Sequence, residues 1–515
     1  MDPIFNVLVA ITFNSPFILF YYESEKDEFV NNNFSIDVNT INNKMYNEYQ
    51  LARQLYSGYL KYKEPGIRKR RITYEEYSFL INKHKNKNLF GIEKAGSSAE
   101  GRTIYTITTG EGEQKILLWS QMHGDESTST AAILDILNFL SANDEFDHFR
   151  SRILKHLKII FIPMLNPDGA ESHQRRNINQ IDINRDAIKL NSPEARLLLK
   201  TFKSINPQWT FNLHDQSNRY TAGNSFRTSA VSLLAPPLDE SESINENRTR
   251  AMKLCGKLFR ILSDFIPGHI SRYDNDFEPR AFGELFQKKG AASVLIESGH
   301  WIDDTEKQFI RKLNFILLLS AFFCITQESC RKEDLKIYDS IPLNQEKLFD
   351  LLLKNISLKT ASGNLKTDIG IIREEFFDRL TDEFYYISRI EDVGDLQNYY
   401  GLEEYDLNGY LYEPAKIFSG IFNHPKEIRV NEIQNLIRKG NLFIKLRNGE
   451  SLTDHTSLPV NLLISGRKFD SNVPICRQPA NFIITKSGRI KYIVLNGSIF
   501  DPTKDDIPVT NALVL

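Results

Sequence analysis

The chain has 515 residues, 41% of them hydrophobic and 25% charged, with a formal net charge of −2. That length predicts more than one domain and ample core, and the near-neutral balance argues against nucleic acid as a partner. Four cysteines, Cys255, Cys324, Cys330 and Cys476, are too few and too scattered for a disulfide framework, and none has a zinc-site spacing, so a reducing compartment is the simpler inference.

Residues Ile4 through Tyr22 are mostly apolar, but Asn6, Asn14 and Pro16 interrupt them and Asp2 stands where a signal peptide carries positive charge. No small-residue cleavage site precedes Glu23-Ser-Glu-Lys-Asp-Glu28. The segment reads as a poor signal sequence, a weak anchor or an upstream extension. We expect a cytoplasmic enzyme, with no other stretch apolar and long enough to span a membrane. The Asn-rich stretch from Asn31 to about Ser57 extends the same reading, so residues 1–60 are assigned to an N-terminal extension. Arg68-Lys-Arg-Arg71 is a short basic cluster, read as a solvated face. Tyr74 to His84 predicts a helix leading into a catalytic domain over residues 61–326.

Within that domain short apolar strands alternate with amphipathic helices, which predicts an α/β fold with a mixed, largely parallel sheet flanked by helices. The run Lys115-Ile-Leu-Leu-Trp119 is a strand, and Ser127 to Leu140 has helical spacing, so His123-Gly-Asp-Glu126 lies in a strand-to-helix turn. His123 and Glu126, three residues apart on such a turn, can reach one ion. Alone, the tetrapeptide also reads as a polar turn with Asp125 as helix cap, and Asn166-Pro-Asp-Gly169 as an ordinary turn. The β-prone run Pro207 to Leu213 places His214 at a second strand end. Two histidines and one carboxylate with an open position point to one zinc ion, which lowers the pKa of a bound water to about 7. Ala291-Ala-Ser-Val-Leu-Ile296 is a third buried strand ending in Glu297. His173 and His300 lie near these elements and read as pocket or surface residues. Phe309 to Thr326 predicts the helix that closes the domain.

After Gln327 the texture changes to charged linkers and short β runs, among them Phe384-Tyr-Tyr-Ile-Ser388, Val460-Asn-Leu-Leu-Ile464 and Phe482-Ile-Ile-Thr485, with a hairpin turning at Ser487-Gly488. Residues 327–515 are therefore expected to form a smaller, β-containing accessory region.

Taken in order, His123/Glu126, Asn166 to Gly169, Arg175 followed by Asn184-Arg185, His214 and Glu297 resemble the zinc carboxypeptidase family of the carboxypeptidase A type. Within it the pattern is similar to the short bacterial branch that includes murein peptide amidases, over roughly residues 70–325. The resemblance implies His123, Glu126 and His214 as zinc ligands and Asp182 as the carboxylate orienting the His123 imidazole. It implies Glu297 as general base and Arg175 as the cation that polarises the scissile carbonyl, a role the adjacent Arg176 could also fill. Asn184 and Arg185 would bind a terminal carboxylate. Tyr273 would be the tyrosine of the substrate loop, with Tyr220 a second candidate near the third ligand.

These readings converge on a zinc metallocarboxypeptidase that hydrolyses a peptide bond next to a free terminal carboxylate by zinc-activated water. Its expected partner is a peptide or peptide-like substrate bearing that carboxylate, with neither nucleic acid nor membrane involved. The alternatives are a cell-wall peptide amidase with the same machinery, a deacylase of small acyl-amino acids, and a catalytically silent module that binds carboxylates. Retention of Glu297 and the full ligand set argues against silence.

Overall fold

A computed structural model describes residues 47–447, 455–464, 473–504, 507 and 511–515. The apolar run from Ile4 to Tyr22 lies outside the described residues. In chain order the first part of the described chain forms α1 (Glu48–Gly58), α2 (Tyr74–Asn82), β1 (Gly91–Ser97), β2 (Thr103–Thr109), β3 (Gln114–Ser120), α3 (Thr128–Leu140), α4 (Asp147–His156) and β4 (Leu157–Ile162). It continues with α5 (Pro167–Ser172), α6 (Pro193–Ile205), β5 (Trp209–Asp215), β6 (Tyr220–Ala222), β7 (Val231–Leu234), α7 (Glu246–Leu262), β8 (Ile270–Arg272), α8 (Phe282–Lys288), β9 (Ala292–Ser298) and α9 (Gln308–Gln327).

Eight of these strands make one sheet in the order β1-β2-β4-β3-β5-β9-β7-β8. The central run β4-β3-β5-β9 is parallel, while β1, β2 and β7 join it antiparallel to their inner neighbours. The sheet is thus mixed and helix-flanked, as the alternation of elements predicted. Its central strands read as unbroken apolar runs because both faces are covered. Successive side chains point to opposite faces, so Ile116, Leu118, Ile159 and Phe161 enter one core with α3 and α9. Their neighbours Leu117, Trp119, Ile160 and Ile162 enter a second core with Leu198, Phe202 and Phe286 from α6 and α8. Each fully buried large apolar side chain contributes about 1.5–3 kcal/mol relative to exposure, so the two cores hold the strand ends firmly.

The chain joins this core earlier than residue 61. Helix α1 places Leu51, Ala52 and Leu55 in the core, and Tyr59 follows them, because leucines four residues apart make one apolar stripe within an otherwise polar segment. Helix α2 starts at a reciprocal cap in which Thr73 Oγ1 accepts the Glu76 N–H and Glu76 accepts the Thr73 N–H. Helix α9 also departs from expectation: it is long and apolar enough to cross a membrane. Its mid-section is buried in the core, and Arg311 is sequestered with Asp135 of α3. Arg311 Nε–H donates to Asp135 Oδ2 at 2.8 Å, while its other nitrogens donate to the Ile67 and Glu64 carbonyls at 2.7 and 3.1 Å. A buried ion pair is sustained only when its remaining donors are satisfied in this way.

Beyond α9 the chain forms α10 (Leu335–Ser340), β10 (Asn344–Glu346), β11 (Leu348–Thr360), β12 (Gly363–Asp378) and β13 (Glu383–Gly394), and then further short strands. Strands β11, β12 and β13 pair antiparallel in a second mixed sheet that also takes in Leu411–Pro414 and the hairpin of Phe482–Lys486 with Arg489–Leu495. That hairpin turns at Ser487-Gly488, both with positive φ (51° and 72°), the conformation that two-residue hairpin turns require. Arg70 and Arg71, expected on a solvated face, are instead docked on the β12–β13 hairpin. Arg71 bonds Asp382 at 2.7 Å, and the two guanidinium groups stack on Phe384 and Phe377. Aromatic rings from the second sheet supply a partner for these cations that local sequence does not reveal.

Candidate metal centre and substrate cleft

His123 and Glu126 sit where β3 gives way to α3. The turn is tight: at Gly124 an added Cβ would lie 1.9 Å from the Gly169 carbonyl carbon. The Asn166-Pro-Asp-Gly169 element is the scaffold beneath this turn. Asn166 Oδ1 accepts the Gly169 N–H at 2.9 Å and caps α5, while its amide donates to the Met122 carbonyl at 3.2 Å. His214 ends β5, and the parallel register of β5 and β9 sets it opposite Glu297, so both side chains emerge on the same face.

These placements bring the three ligand candidates together. Nδ1 of His123 lies 2.8 Å from Glu126 Oε1, and Nδ1 of His214 lies 2.7 Å from Glu126 Oε2. One atom from each residue falls within 4.8 Å of the others. His123, Glu126 and His214 are 2%, 8% and 3% exposed. Two imidazole nitrogens and a carboxylate converging from buried positions are the donor set of a zinc site with an open coordination position, and the residues fit the ion. Burial alone would raise the Glu126 carboxyl, yet the two histidines hold it well below the usual range.

The orienting contact expected of Asp182 is present, with His123 Nε2 lying 3.2 Å from Asp182 Oδ1. Asp182 also accepts from Arg175 Nε–H at 3.2 Å and from the Asn184 N–H at 2.9 Å. We expect Asp182→Asn to weaken zinc binding by about 10- to 100-fold, the usual cost of losing such a partner. Competition against a chromophoric chelator measures this, and an unchanged affinity would remove Asp182 from the role.

Arg175 reaches the centre, with Nη1 3.1 Å from His123 Nδ1 and 3.3 Å from Glu126 Oε1. Arg176 turns away and donates to the Gln180 carbonyl at 2.9 Å, so the structure separates the two adjacent arginines. Asn184 links the ligand cluster to the start of α8: its amide nitrogen is 3.5 Å from His214 Nε2, and its oxygen accepts the Phe282 N–H at 3.1 Å. Arg185 is solvent-facing, with Nε 3.1 Å from Glu278 Oε2. Tyr273 and Tyr220 approach each other with ring centroids 6.3 Å apart. Burial and then the nearby Glu297 raise the Tyr273 phenol, so both tyrosines border the centre. Burial, and after it the proximity of Glu126, pushes the Glu297 carboxyl well above the usual range.

Sequence reasoning did not single out Asp215 or Lys307. The Asp215 N–H donates to Glu126 Oε2 at 3.2 Å, while its carboxylate takes Lys307 Nζ–H at 3.1 Å and Thr128 Oγ1–H at 2.5 Å. Asp215 follows His214 directly, the one available signal. Its partner comes from just before α9, some 90 residues downstream.

Residues 77–245 match the family described as Zinc carboxypeptidase, a span that holds the three ligand candidates but ends before Tyr273 and Glu297. Carboxypeptidase 2 of Trichophyton tonsurans is 31% identical over 114 residues, covering 22% of this chain and 20% of that protein. Mouse carboxypeptidase M is 25% identical over 146 residues, covering 24% of this chain and 33% of that protein. The chain thus spans about a fifth to a third of the length of these curated relatives. The crystal structure of a metallo-carboxypeptidase from Burkholderia cenocepacia aligns with a TM-score of 0.40 at 15% identity, covering 50% of this chain and 69% of that one.

Proposed function

We propose that this chain, residues 77–245 of which match the zinc carboxypeptidase family, releases the terminal residue of a peptide bearing a free carboxylate. The observation that carries the proposal is the convergence of His123, Glu126 and His214 beside an otherwise uncommitted buried acid, Glu297. Zinc held by the three ligands supplies Lewis acidity, which lowers the pKa of water and polarises a carbonyl. Glu297, facing the same space, takes the proton of the attacking water and passes it to the leaving amine. Arg175 presents its guanidinium to the carbonyl oxygen as negative charge develops there, an interaction that strengthens toward the transition state. Arg185 binds the terminal carboxylate. A carboxylate presents two oxygens to the guanidinium fork, which can displace the partly exposed contact to Glu278. Tyr273 and Tyr220 cover the bound residue.

The test is direct: full-length protein loaded with zinc is given peptides of defined terminus, and free amino acid is measured. Removing the metal with a chelator should abolish release, and added zinc should restore it. Release that persists after complete metal removal would refute the proposal.

The clamp also predicts a pH dependence. Burial pushes the Glu284 carboxyl up to about 7, with Arg185 pulling it down and Glu278 pushing it up. Below that value Glu284 is neutral and Arg185 is free to attract the substrate carboxylate. Above it, a second anion competes for the same guanidinium. KM for free-carboxylate peptides should therefore rise between about pH 6 and 8, where such a group titrates, and Glu284→Gln should flatten that rise. An identical rise in the variant would assign the titration elsewhere.

A further inference from the structure

Glu126 borders a cavity of about 1060 Å³ whose floor includes Asp215 and Gln216 and whose roof is the β12–β13 hairpin, through Phe377, Phe384 and Tyr386. None of Arg175, Asn184, Arg185, Tyr273 or Glu297 lines it. The clamp and the cavity are therefore separate features around the ligand cluster. If the clamp takes the terminal carboxylate, the cavity receives the chain on the amino side of the scissile bond.

The hairpin is fastened over this space by several independent contacts. Arg70 stacks on Phe384 and Arg71 on Phe377, each 4.3 Å from the ring centroid. Arg70 is also paired with Glu375, and Arg71 with Asp382 at 2.7 Å. The His173 ring packs against both phenylalanines, with centroids 5.4 and 5.0 Å away. Both arginine side chains are largely buried, 18% and 13% exposed, and cation–π contacts are stronger when desolvated. The fastening also reaches the metal turn, since Ser127 Oγ–H, next to Glu126, donates to the Arg70 carbonyl. Such a roof is a fixed wall of the cleft.

We propose that the β12–β13 hairpin is a strap that limits substrate length on the amino side, making this a peptidase for short peptides; the inference rests on the carboxypeptidase reading above. A space of this volume measures about 10 Å on a side, and an extended chain advances 3.3–3.6 Å per residue, so roughly three residues fit upstream of the scissile bond. A longer peptide meets Phe377 and Phe384.

The test uses zinc-loaded full-length protein and acetylated peptides of two to ten residues that share one carboxyl-terminal residue. The strap predicts that kcat/KM falls by at least about 10-fold once the peptide exceeds roughly four residues, the scale on which a pocket wall discriminates. The Phe377→Ala/Phe384→Ala variant should raise the ratio of long-peptide to short-peptide kcat/KM by a similar factor. Arg71→Gln, which removes the stack on Phe377 and the ion pair with Asp382, should raise it in the same direction and serves if the double variant fails to fold. A flat length profile in the native protein would overturn the strap and leave the carboxypeptidase reading standing. A length limit that both folded variants retain would likewise overturn the hairpin's part in it. No release from a peptide of any length, with zinc bound, would overturn the carboxypeptidase reading and the strap with it.

Discussion

Glu297→Gln is expected to keep its zinc and its peptide affinity and to lose at least about 10²-fold in kcat, the usual scale for a general base. Glutamine preserves the shape and hydrogen-bonding reach of the side chain but cannot take up a proton. The Glu297 carboxylate accepts no hydrogen bond among the described residues, and Glu297 shares the register position of His214 on the adjacent strand. Its replacement should therefore leave the ligand geometry undisturbed. His214→Ala supplies the contrasting result. It removes one of three protein ligands and should lose most of the bound zinc along with activity, whereas Glu297→Gln loses activity alone. Metal content and single-turnover kinetics measured together separate the two. Near-normal turnover by Glu297→Gln would rule out the base, loss of its zinc would make Glu297 a ligand, and full zinc in His214→Ala would remove His214 from the set.

Arg185→Ala should reduce kcat/KM by a few kcal/mol on a peptide with a free terminal carboxylate, roughly the cost of deleting one partner of a desolvated charge pair. On the same peptide with an amidated terminus the loss should be much smaller. The competing account makes Arg185 a structural partner of Glu278. That ion pair joins side chains 38% and 24% exposed, and pairs of this kind contribute about 0–1 kcal/mol. A structural role thus predicts a small loss shared equally by both substrates, while a clamp predicts a large and selective one. Comparing both peptides in both proteins isolates the coupling from general damage. Equal losses, with zinc and fold intact, would shift the assignment toward an internal amidase or a small-molecule deacylase.

The chemistry of the centre was legible in residue type and order. His123, Glu126 and His214 were readable as a ligand set because each follows a short apolar run, and a strand buried on both faces announces itself without its neighbours. The resemblance then assigned Asp182 to His123, a contact that the structure contains. The resemblance favoured Arg175 but left Arg176 open, since adjacent side chains on an irregular segment diverge according to what packs around them. Only the fold turns one toward the ligands and the other to the Gln180 carbonyl.

Longer separations hid more. The leucines of α1 were read as part of a polar extension because their stripe acquires meaning only against the core of α9. The apolar length of α9 marks a core helix, with Arg311 held by Asp135 from 176 residues away. Arg70 and Arg71 read as solvated because their aromatic and acidic partners lie some 300 residues downstream on β12 and β13. Local sequence thus determined which donors this protein brings to its metal and which strands present them, since periodicity and ligand chemistry act over a few residues. Tertiary structure alone decided which arginine reaches the centre and what roofs the cleft, because those outcomes depend on contacts between segments whose only relation is the space they share.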